Sequence, residues 1–292
     1  MESIVEPKQV YTYQIMLNDI ELLKQTYPFL VVEEIGMSVD KRKIIAVKIG
    51  NGSRPIMLNG AHHAREWMTT ALLMHMLEYY CKTYTENQLD DLSIWFVPMV
   101  NPDGVTLVQE GVGQFAEKDF LLQLNENSID FASWKANIRG VDLNRQYPVD
   151  WEHIDDYIRK PSKSMYKGPS PLSEPEARAL YDFTILHQFH AVACYHSSGE
   201  EIFWKYKADG KLIEESLKLA NQLVTATGYT LIDPGENPSG GGFTDWFLMK
   251  LKRPSFTMEI APYVGPRPVP LEFYEEIWEK NKHVGLILGR NV

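Results

Sequence analysis

The amino-acid sequence predicts an α/β fold, in which a β-sheet carries helices on both faces. Short apolar runs typical of strands alternate with segments of helical periodicity. The chain has 292 residues, of which 44% are hydrophobic, and this is enough to bury a large core. Because neither an internal repeat nor a low-complexity tract interrupts the sequence, we expect residues 1–292 to form one continuous domain.

The first predicted elements follow a strand–helix order. Residues 43–49 (KIIAVKI) and 55–59 (PIMLN) are short apolar runs, as strands are. Apolar positions between Trp67 and Tyr84 recur with helical spacing, and residues 93–100 (SIWFVPMV) predict the next strand. An alternation of this kind places helices on both faces of a sheet.

The second half of the chain continues the pattern. Ser173, followed three residues later by Glu176, predicts a capping box that starts a helix running towards Phe189. Residues 191–195 (AVACY) and 255–259 (SFTME) predict two further strands.

Two long polar stretches, 109–139 and 147–172, separate these elements and show weak periodicity. Loops of that length in a compact domain usually form a rim or a lid. The runs IMLN, AVACY and SFTM are each followed by, or end in, a polar residue. Since ligands of open α/β sheets bind beyond the carboxyl ends of strands, we expect the functional site there.

Composition excludes several classes of function. A net charge of −10 and a pI near 5.3 argue against nucleic acid or an anionic membrane as the main partner. The sequence contains neither a long apolar run for a spanning helix nor a recognisable secretion signal, so we expect a cytoplasmic protein. Cys81 and Cys194 are expected to be reduced, with Cys194 packed in a strand core.

The stretch His63-Ala64-Arg65-Glu66 suggests a metal site. A histidine and a glutamate three residues apart at a strand-to-helix turn face the same way, so both can reach one ion. A catalytic zinc site needs a third protein ligand, and His196 at the end of AVACY is the leading candidate. His62 competes with His63, because a four-residue spacing to Glu66 also works on a helix.

Two further motifs contain residues suited to catalysis. In GVDLNR (140–145), Asp142 can support a metal-bound histidine, while Asn144 and Arg145 can bind a carboxylate. Glu259 ends an apolar strand, where partial desolvation would raise its pKa and suit it to act as a general base. Taken alone, GVDLNR could equally be a solvated turn and Glu259 a surface acid.

Together, the ordered motifs HHAREW, GVDLNR, YHSSGE and FTMEI resemble the carboxypeptidase A-like family of zinc metallocarboxypeptidases. The resemblance extends over essentially the whole chain. It implies a single domain with a mixed, mainly parallel eight-stranded sheet flanked by helices, without a propeptide or a wall-binding repeat. It also implies a hydrolase that cleaves peptides with a metal-activated water.

The resemblance assigns roles residue by residue. It implies one zinc ion (Zn2+) with three ligands, which are His63, Glu66 and His196, and it makes His62 a neighbour. It implies Glu259 as the general base and acid. The remaining positions match substrate-cleft residues or support them: Arg65, Asn144 and Arg145 for substrate, and Asp142 behind a ligand histidine.

The sequence departs from the family pattern in two places, at the oxyanion-binding position and in the lid segment. The family's oxyanion-binding arginine falls on Lys135, unless Arg139 reaches into the site instead. Residues 234–238 (PGENP) lack the tyrosine that closes over the substrate in digestive members. Thr244 is neutral at a position that often decides side-chain preference, which argues against strict selection of C-terminal Lys or Arg.

Within the family, GAHHAREW and HSSGEEIFW are most similar to bacterial γ-D-glutamyl-L-diamino acid peptidases. This implies cleavage of peptidoglycan stem peptides between γ-D-Glu and meso-diaminopimelate, in recycling of muropeptides or after lysis of a sporulating cell. The alternatives are a general carboxypeptidase acting on α-linked peptides and, less favoured, a zinc amidohydrolase of N-acyl amino acids. A non-catalytic peptide-binding module is disfavoured because the third ligand and Glu259 are both present.

Overall fold

Eight strands form one mixed sheet in the computed structural model, which describes residues 3–89, 91–155, 158–235 and 238–292. The strands are β1 (Val31–Met37), β2 (Lys43–Ile49), β3 (Ile56–Gly60), β4 (Ile94–Val97), β5 (Ala191–Ser197), β6 (Glu201–Phe203), β7 (Thr230–Ile232) and β8 (Ser255–Ile260). Their order is β1-β2-β4-β3-β5-β8-β6-β7. The four central strands β4, β3, β5 and β8 are parallel, and β6 pairs in parallel with β7. The predicted mixed, mainly parallel α/β sheet is confirmed.

Helices cover both faces of the sheet. They are α1 (Tyr13–Thr26), α2 (Met68–Thr83), α3 (Glu86–Leu89), α4 (Pro102–Glu110), α5 (Lys118–Leu124), α6 (Pro175–His187), α7 (Gly210–Thr227), α8 (Phe243–Trp246), α9 (Tyr274–Asn281) and α10 (Val284–Asn291). Successive side chains of a strand point to opposite faces. Accordingly, Leu58 packs in the core beneath α2 and α10, while Met57 packs in the second core beneath α6 and α8. Among the described residues, none of the helices has the length and apolar character needed to cross a membrane.

The strand and helix predictions hold with small shifts in their ends. The expected helix from Trp67 to Tyr84 is α2, and KIIAVKI is β2 residue for residue. The strand predicted over residues 93–100 ends at Val97. Pro98 follows directly, and proline cannot donate a hydrogen bond to a neighbouring strand.

The predicted capping box is wrong, although the helix it was meant to start exists. Helix α6 begins at Pro175, with Glu174 as the N-cap residue. Proline suits the first helical position because its φ is already near the helical value. The Ser173 hydroxyl contacts the Gln146 and Glu174 side chains instead of a helical N–H.

The first of the two long polar stretches is more ordered than a simple rim loop. Within residues 109–139, α5 forms and a small apolar cluster packs around the buried Trp134 and Phe131. Ala64, from the motif of the predicted metal ligands, belongs to the same cluster. Residues 156 and 157 of the second stretch lie outside the described residues. The first stretch therefore supports the turn that carries the candidate ligands.

Candidate metal centre and substrate cleft

Three strands deliver their functional residues to one edge of the sheet. β3 leads directly into the turn that holds His63 and Glu66, β5 carries His196, and β8 carries Glu259. His196 and Glu259 are direct neighbours in the parallel pairing of β5 with β8. The predicted placement at the carboxyl ends of the strands therefore holds.

The turn after β3 is fixed by Thr69 on α2. Its hydroxyl accepts a hydrogen bond from the Ala61 amide at 2.9 Å and donates one to the Glu66 carbonyl at 2.7 Å. A Cβ at Gly60 would lie 2.8 Å from this hydroxyl, so glycine is required for the close approach. The Ala64 amide donates to the Lys135 carbonyl at 3.0 Å. These contacts hold the backbone of the turn on both sides.

The three predicted ligands converge on one point. The Glu66 carboxylate lies 2.9 Å from His63 Nδ1 and 2.8 Å from His196 Nδ1, and the two nitrogens are 3.1 Å apart. Two nitrogens on one tetrahedral zinc ion, at about 2.0–2.1 Å each, would be about 3.3 Å apart. All three side chains are buried. The residues therefore fit a zinc ion, and two imidazoles with one carboxylate are a donor set found in catalytic zinc sites.

Asp142 fixes the orientation of the His63 ring. Its carboxylate accepts from His63 Nε2 at 3.0 Å, which leaves a lone pair on Nδ1 facing Glu66. Burial alone would raise the pKa of Asp142, but His63, Lys135 and Arg145 outweigh it and hold that pKa well below its usual range. The pKa of Glu66 is likewise held well below its usual range by the two histidines, against the effect of burial.

A cleft of about 380 Å³ opens beside these ligands. Its wall includes five residues that the sequence assigned to catalysis or substrate binding, namely Lys135, Asn144, Arg145, Thr244 and Glu259. Arg65, which was also expected in the substrate cleft, does not line this cavity; its guanidinium donates to the Ser133 carbonyl at 3.3 Å.

Glu259 has the environment of a general base. Burial, reinforced by Glu66, raises the pKa of its carboxyl to about 7 against the opposing effects of His196 and Lys135. Within the described residues its carboxylate has no hydrogen-bond partner, and it faces the cleft. A carboxylate of this pKa can take up and release a proton near neutral pH.

Arg145 is placed to bind an anion. One terminal nitrogen donates to the Ser239 hydroxyl at 2.7 Å, while Nε is buried without a hydrogen-bond partner. The nearest carboxylate, that of Asp142, lies 3.9 Å away. Arg145 also lines the cleft, where the planar fork of its guanidinium suits a substrate carboxylate.

Comparison with known proteins identifies the family. Residues 16–264 match the zinc carboxypeptidase family of peptidases. This chain belongs to the zinc carboxypeptidase family. It is therefore a hydrolase of the metallopeptidase class, and the family implies zinc as its metal.

The chain is similar to relatives of two kinds. It is 36% identical to gamma-D-glutamyl-L-diamino acid endopeptidase 1 of Lysinibacillus sphaericus, over 95% of this chain and 72% of that protein. It is 30% identical to carboxypeptidase B of Rattus norvegicus, over 80% of this chain and 59% of that protein. Bovine thrombin-activatable fibrinolysis inhibitor, solved with a tick carboxypeptidase inhibitor, has the same fold, with a TM-score of 0.76, 23% identity and coverage of 98% and 99% of the two chains.

The structure separates Lys135 from Arg139. Lys135 lines the cleft, as Glu259 does. Arg139 points elsewhere, because its guanidinium pairs with Glu174 at 3.6 Å and its side chain is 55% exposed. Of these two cations, Lys135 is therefore the one that the fold brings to the cleft, and its role on the oxyanion remains a prediction.

The far wall of the cleft is polar. The Thr244 hydroxyl is hydrogen-bonded to that of Thr257 at 2.7 Å. Lys205 lines the same cavity and pairs with Asp233 at 2.6 Å. Pro234 and Pro238 belong to the wall, whereas positions 236 and 237 of the predicted lid segment lie outside the described residues, so the expected lid without a tyrosine stays a prediction.

His62 faces away from the metal ligands, behind His196. Its Nδ1 lies 3.3 Å from Cys194 Sγ, and its Nε2 lies 3.0 Å from the Tyr147 hydroxyl. Burial, followed by the neighbouring histidines, lowers the pKa of His62 well below its usual range, and burial raises the pKa of the Cys194 thiol. One signal of this arrangement is visible in the sequence, because residues two apart on a strand, such as Cys194 and His196, share a face.

Proposed function

We propose that this zinc carboxypeptidase hydrolyses the bond between γ-D-Glu and meso-diaminopimelate in peptidoglycan stem peptides. Two of the cations that line the cleft, Arg145 and Lys205, support this substrate. In L-Ala-γ-D-Glu-diaminopimelate, the residue after the scissile bond carries a carboxylate at each end and a free amine at the far end. Arg145 suits the near carboxylate, while Lys205 and Asp233 suit the far carboxylate and amine.

The similarity to the Lysinibacillus sphaericus endopeptidase over nearly the whole chain supports the same assignment. That relative is named for a γ-D-glutamyl-L-diamino acid substrate. The motifs GAHHAREW and HSSGEEIFW contain all three candidate ligand positions and all of β6, which leads to the Lys205 side of the cleft.

We assign each cleft residue a step in the reaction. Glu259 takes a proton from the attacking water and passes it to the leaving nitrogen. Lys135 places its ammonium where the scissile carbonyl oxygen gains negative charge. Asn144 and Arg145 hold the terminal carboxylate, which fixes the scissile bond beside Glu259.

His63, Glu66 and His196 would hold the zinc ion. When bound, zinc supplies Lewis acidity that lowers the pKa of a coordinated water and polarises the scissile carbonyl. Asp142 keeps the His63 ring in the orientation that this requires.

Mass spectrometry of reaction products tests the proposal directly. The zinc-loaded protein is incubated with L-Ala-γ-D-Glu-meso-diaminopimelate and, separately, with a panel of benzoyl-glycyl amino acids. We expect release of free diaminopimelate and no cleavage of the panel. A parallel sample treated with a chelator should be inactive and should recover on addition of zinc; activity that survives complete metal removal would contradict the zinc mechanism.

A general carboxypeptidase is the second candidate, because Asn144 and Arg145 could bind the terminal carboxylate of any C-terminal residue. The 30% identity to rat carboxypeptidase B favours keeping it. Cleavage of the benzoyl-glycyl panel with the tripeptide left intact would establish this function instead. Hydrolysis of simple N-acyl amino acids alone would indicate the amidohydrolase alternative.

A further inference from the structure

The two candidate ligand histidines differ in what supports their second ring nitrogen. Nε2 of His63 donates to the Asp142 carboxylate at 3.0 Å. Nε2 of His196 lies 3.3 Å from Cys194 Sγ, and no carboxylate contacts it within the described residues. Metal-bound histidines usually donate this N–H to a carboxylate, a carbonyl or water, so a thiol in this place is unusual.

The Asn144 side chain does not replace the missing carboxylate. Its Nδ2 lies 3.5 Å from His196 Nε2, and its Oδ1 accepts a hydrogen bond from the Phe243 amide at 3.0 Å. The amide therefore presents its donor group to the ring and cannot accept the ring N–H. The sulfur of Cys194 is the acceptor that the described residues offer to His196.

Further contacts extend from the sulfur into the core. Cys194 Sγ lies 3.3 Å from His62 Nδ1, and His62 Nε2 lies 3.0 Å from the Tyr147 hydroxyl. Donors and acceptors can all run in one direction: from His196 Nε2–H to sulfur, from S–H to His62 Nδ1, and from His62 Nε2–H to the Tyr147 oxygen. All four side chains are buried, with exposures of 2% for His196 and 0% for the other three.

Tyr147 anchors the far end of these contacts. Its ring packs against Phe243 and Trp246, with centroid distances of 5.0 and 5.8 Å. Phe243 also packs against the His62 ring at 5.7 Å. A phenol held by two aromatic neighbours gives His62 a fixed partner, and His62 in turn gives the thiol one.

We propose that Cys194 and His62 are positioning residues for the metal ligand His196, forming a neutral thiol–imidazole–phenol chain that does for His196 what Asp142 does for His63. The inference rests on the proposed metal role of His196. The chain keeps Nδ1 of His196 turned towards Glu66. Because a thiol is a weaker acceptor than a carboxylate, His196 is the less basic of the two imidazoles.

Zinc affinity, measured by competition with a coloured chelator, tests the proposal without relying on activity. We expect Cys194→Ala and His62→Leu to weaken zinc binding by about 10–100-fold, the usual effect of losing such a partner. Cys194→Ser should lose less, because a hydroxyl can donate and accept in the same place. Cys81→Ala is the matched control, since Cys81 is also a buried free thiol but lies on α2.

Equal zinc affinity of Cys194→Ala and Cys81→Ala would overturn the proposal, provided that their metal-free forms unfold at the same temperature. Failure of the unsubstituted protein to bind zinc would instead contradict the proposed metal site itself. The two failures are therefore distinguishable.

Infrared spectroscopy provides a test that does not depend on the folding of any Cys194 variant. In zinc-loaded Cys81→Ala protein, the remaining S–H stretch should be present and shifted to lower frequency by donation to His62. Absence of the band, together with a sulfur-to-metal absorption after cobalt substitution and a second bound ion per chain, would overturn the proposal. It would show that His62, Cys194 and His196, which are compact enough to do so, bind an ion themselves.

Discussion

Two glutamates of this protein, Glu259 and Glu176, have the same raised pKa in different surroundings. Burial raises the pKa of each carboxyl to about 7. Glu259 stands at the end of β8 and faces the cleft, with no hydrogen-bond partner in the described part of the chain. Glu176 lies in the first turn of α6 with 0% exposure, and it accepts hydrogen bonds from the Val39 amide at 3.1 Å and the Asn137 side chain at 3.3 Å.

The difference shows that a raised pKa does not by itself mark a catalytic group. Desolvation produces the same shift wherever a carboxyl is buried. A general base must also reach the substrate and exchange its proton with it. Glu259 meets that condition because the cleft leaves its carboxylate open, whereas protein donors already occupy the carboxylate of Glu176.

Replacing Glu259, the glutamate that faces the cleft, should have the largest effect on the rate of hydrolysis. We expect Glu259→Gln to lower kcat by about 10²–10⁴-fold, the usual contribution of a general base. In the unsubstituted protein, kcat/KM should rise with pH up to about 7 as Glu259 loses its proton. Steady-state kinetics on the tripeptide across pH 5–9 should show this acidic limb, and the variant should lack it.

Zinc content and unfolding temperature serve as controls for Glu259→Gln, and both should be retained. If kcat of Glu259→Gln stays within tenfold of the unsubstituted protein and the acidic limb persists, Glu259 is not the general base. The proposed difference between Glu259 and Glu176 would then be wrong.

Lys135 is the charge beside the open glutamate, and its loss should have the next largest effect. We expect Lys135→Met to lower kcat by about 10²–10³-fold, as for loss of one oxyanion donor. Because Lys135 helps to lower the pKa of Glu259, the acidic limb should also move to higher pH. Lys135→Arg should restore part of the rate.

Arg139→Met is the matched control, since Arg139 pairs with Glu174 away from the cleft. We expect kinetics close to those of the unsubstituted protein. A large loss in Arg139→Met with little loss in Lys135→Met would exchange the roles of the two cations.

Replacing the enclosed glutamate should change stability and leave activity unaltered. The pKa of Glu176 is about 7 in the folded protein and near its ordinary value when unfolded, so its contribution to stability is present below pH 4.5 and is lost as the pH rises through 7. We expect Glu176→Gln to gain on the order of 1–3 kcal/mol at pH 8 relative to the unsubstituted protein and little at pH 5. Urea unfolding at both pH values measures this.

Glu214→Gln, at an exposed position of α7, should show no such pH dependence. Loss of peptidase activity in Glu176→Gln, at unchanged zinc content, would mean that the enclosed glutamate also acts on the substrate.

The smallest expected effect concerns Lys205, which lines the cleft as Glu259 does. Lys205→Met should raise KM for the diaminopimelate tripeptide about tenfold with little change in kcat, through loss of one charged hydrogen bond. Lys207→Met is the control, because Lys207 pairs with Asp150 at 2.6 Å and does not line the cleft. A tripeptide with lysine in place of diaminopimelate lacks the far carboxylate, so its KM should be insensitive to Lys205→Met. Equal sensitivity of both tripeptides would contradict this role.

Part of the candidate site could be predicted from short sequence patterns, because spacing within a turn and position at a strand end are visible in the sequence. The spacing of His63 and Glu66, and the position of His196 and Glu259 at the ends of apolar strands, indicated four residues that the fold brings together. Spacing left His62 open as an alternative to His63, and the family resemblance decided between them. The strand β6 was not predicted, because three residues are too few to show the alternation of apolar and polar side chains that marks a strand. The predicted capping box at Ser173 was wrong because Pro175 is well suited to the first helical position, which makes Glu174 the N-cap residue.

Residues whose placement depends on distant contacts could not be predicted in the same way. Lys135 reaches the cleft because its carbonyl accepts from the Ala64 amide, a contact between separate segments. Tyr147 stands 85 residues from His62, and neither residue type nor spacing indicates that the two side chains meet. Such pairs follow from sheet order and core packing, which a single sequence does not show.

The neighbouring positions of His196 on β5 and Glu259 on β8 have a consequence for folding. Successive side chains of a strand alternate between faces, so a slip of β8 by one residue would turn Glu259 to the opposite side of the sheet. The two strands are far apart in the chain, and contacts of that kind form slowly. During refolding, the circular dichroism signal of the helices should therefore return first. Peptide hydrolysis should appear only when β5 and β8 have paired in register.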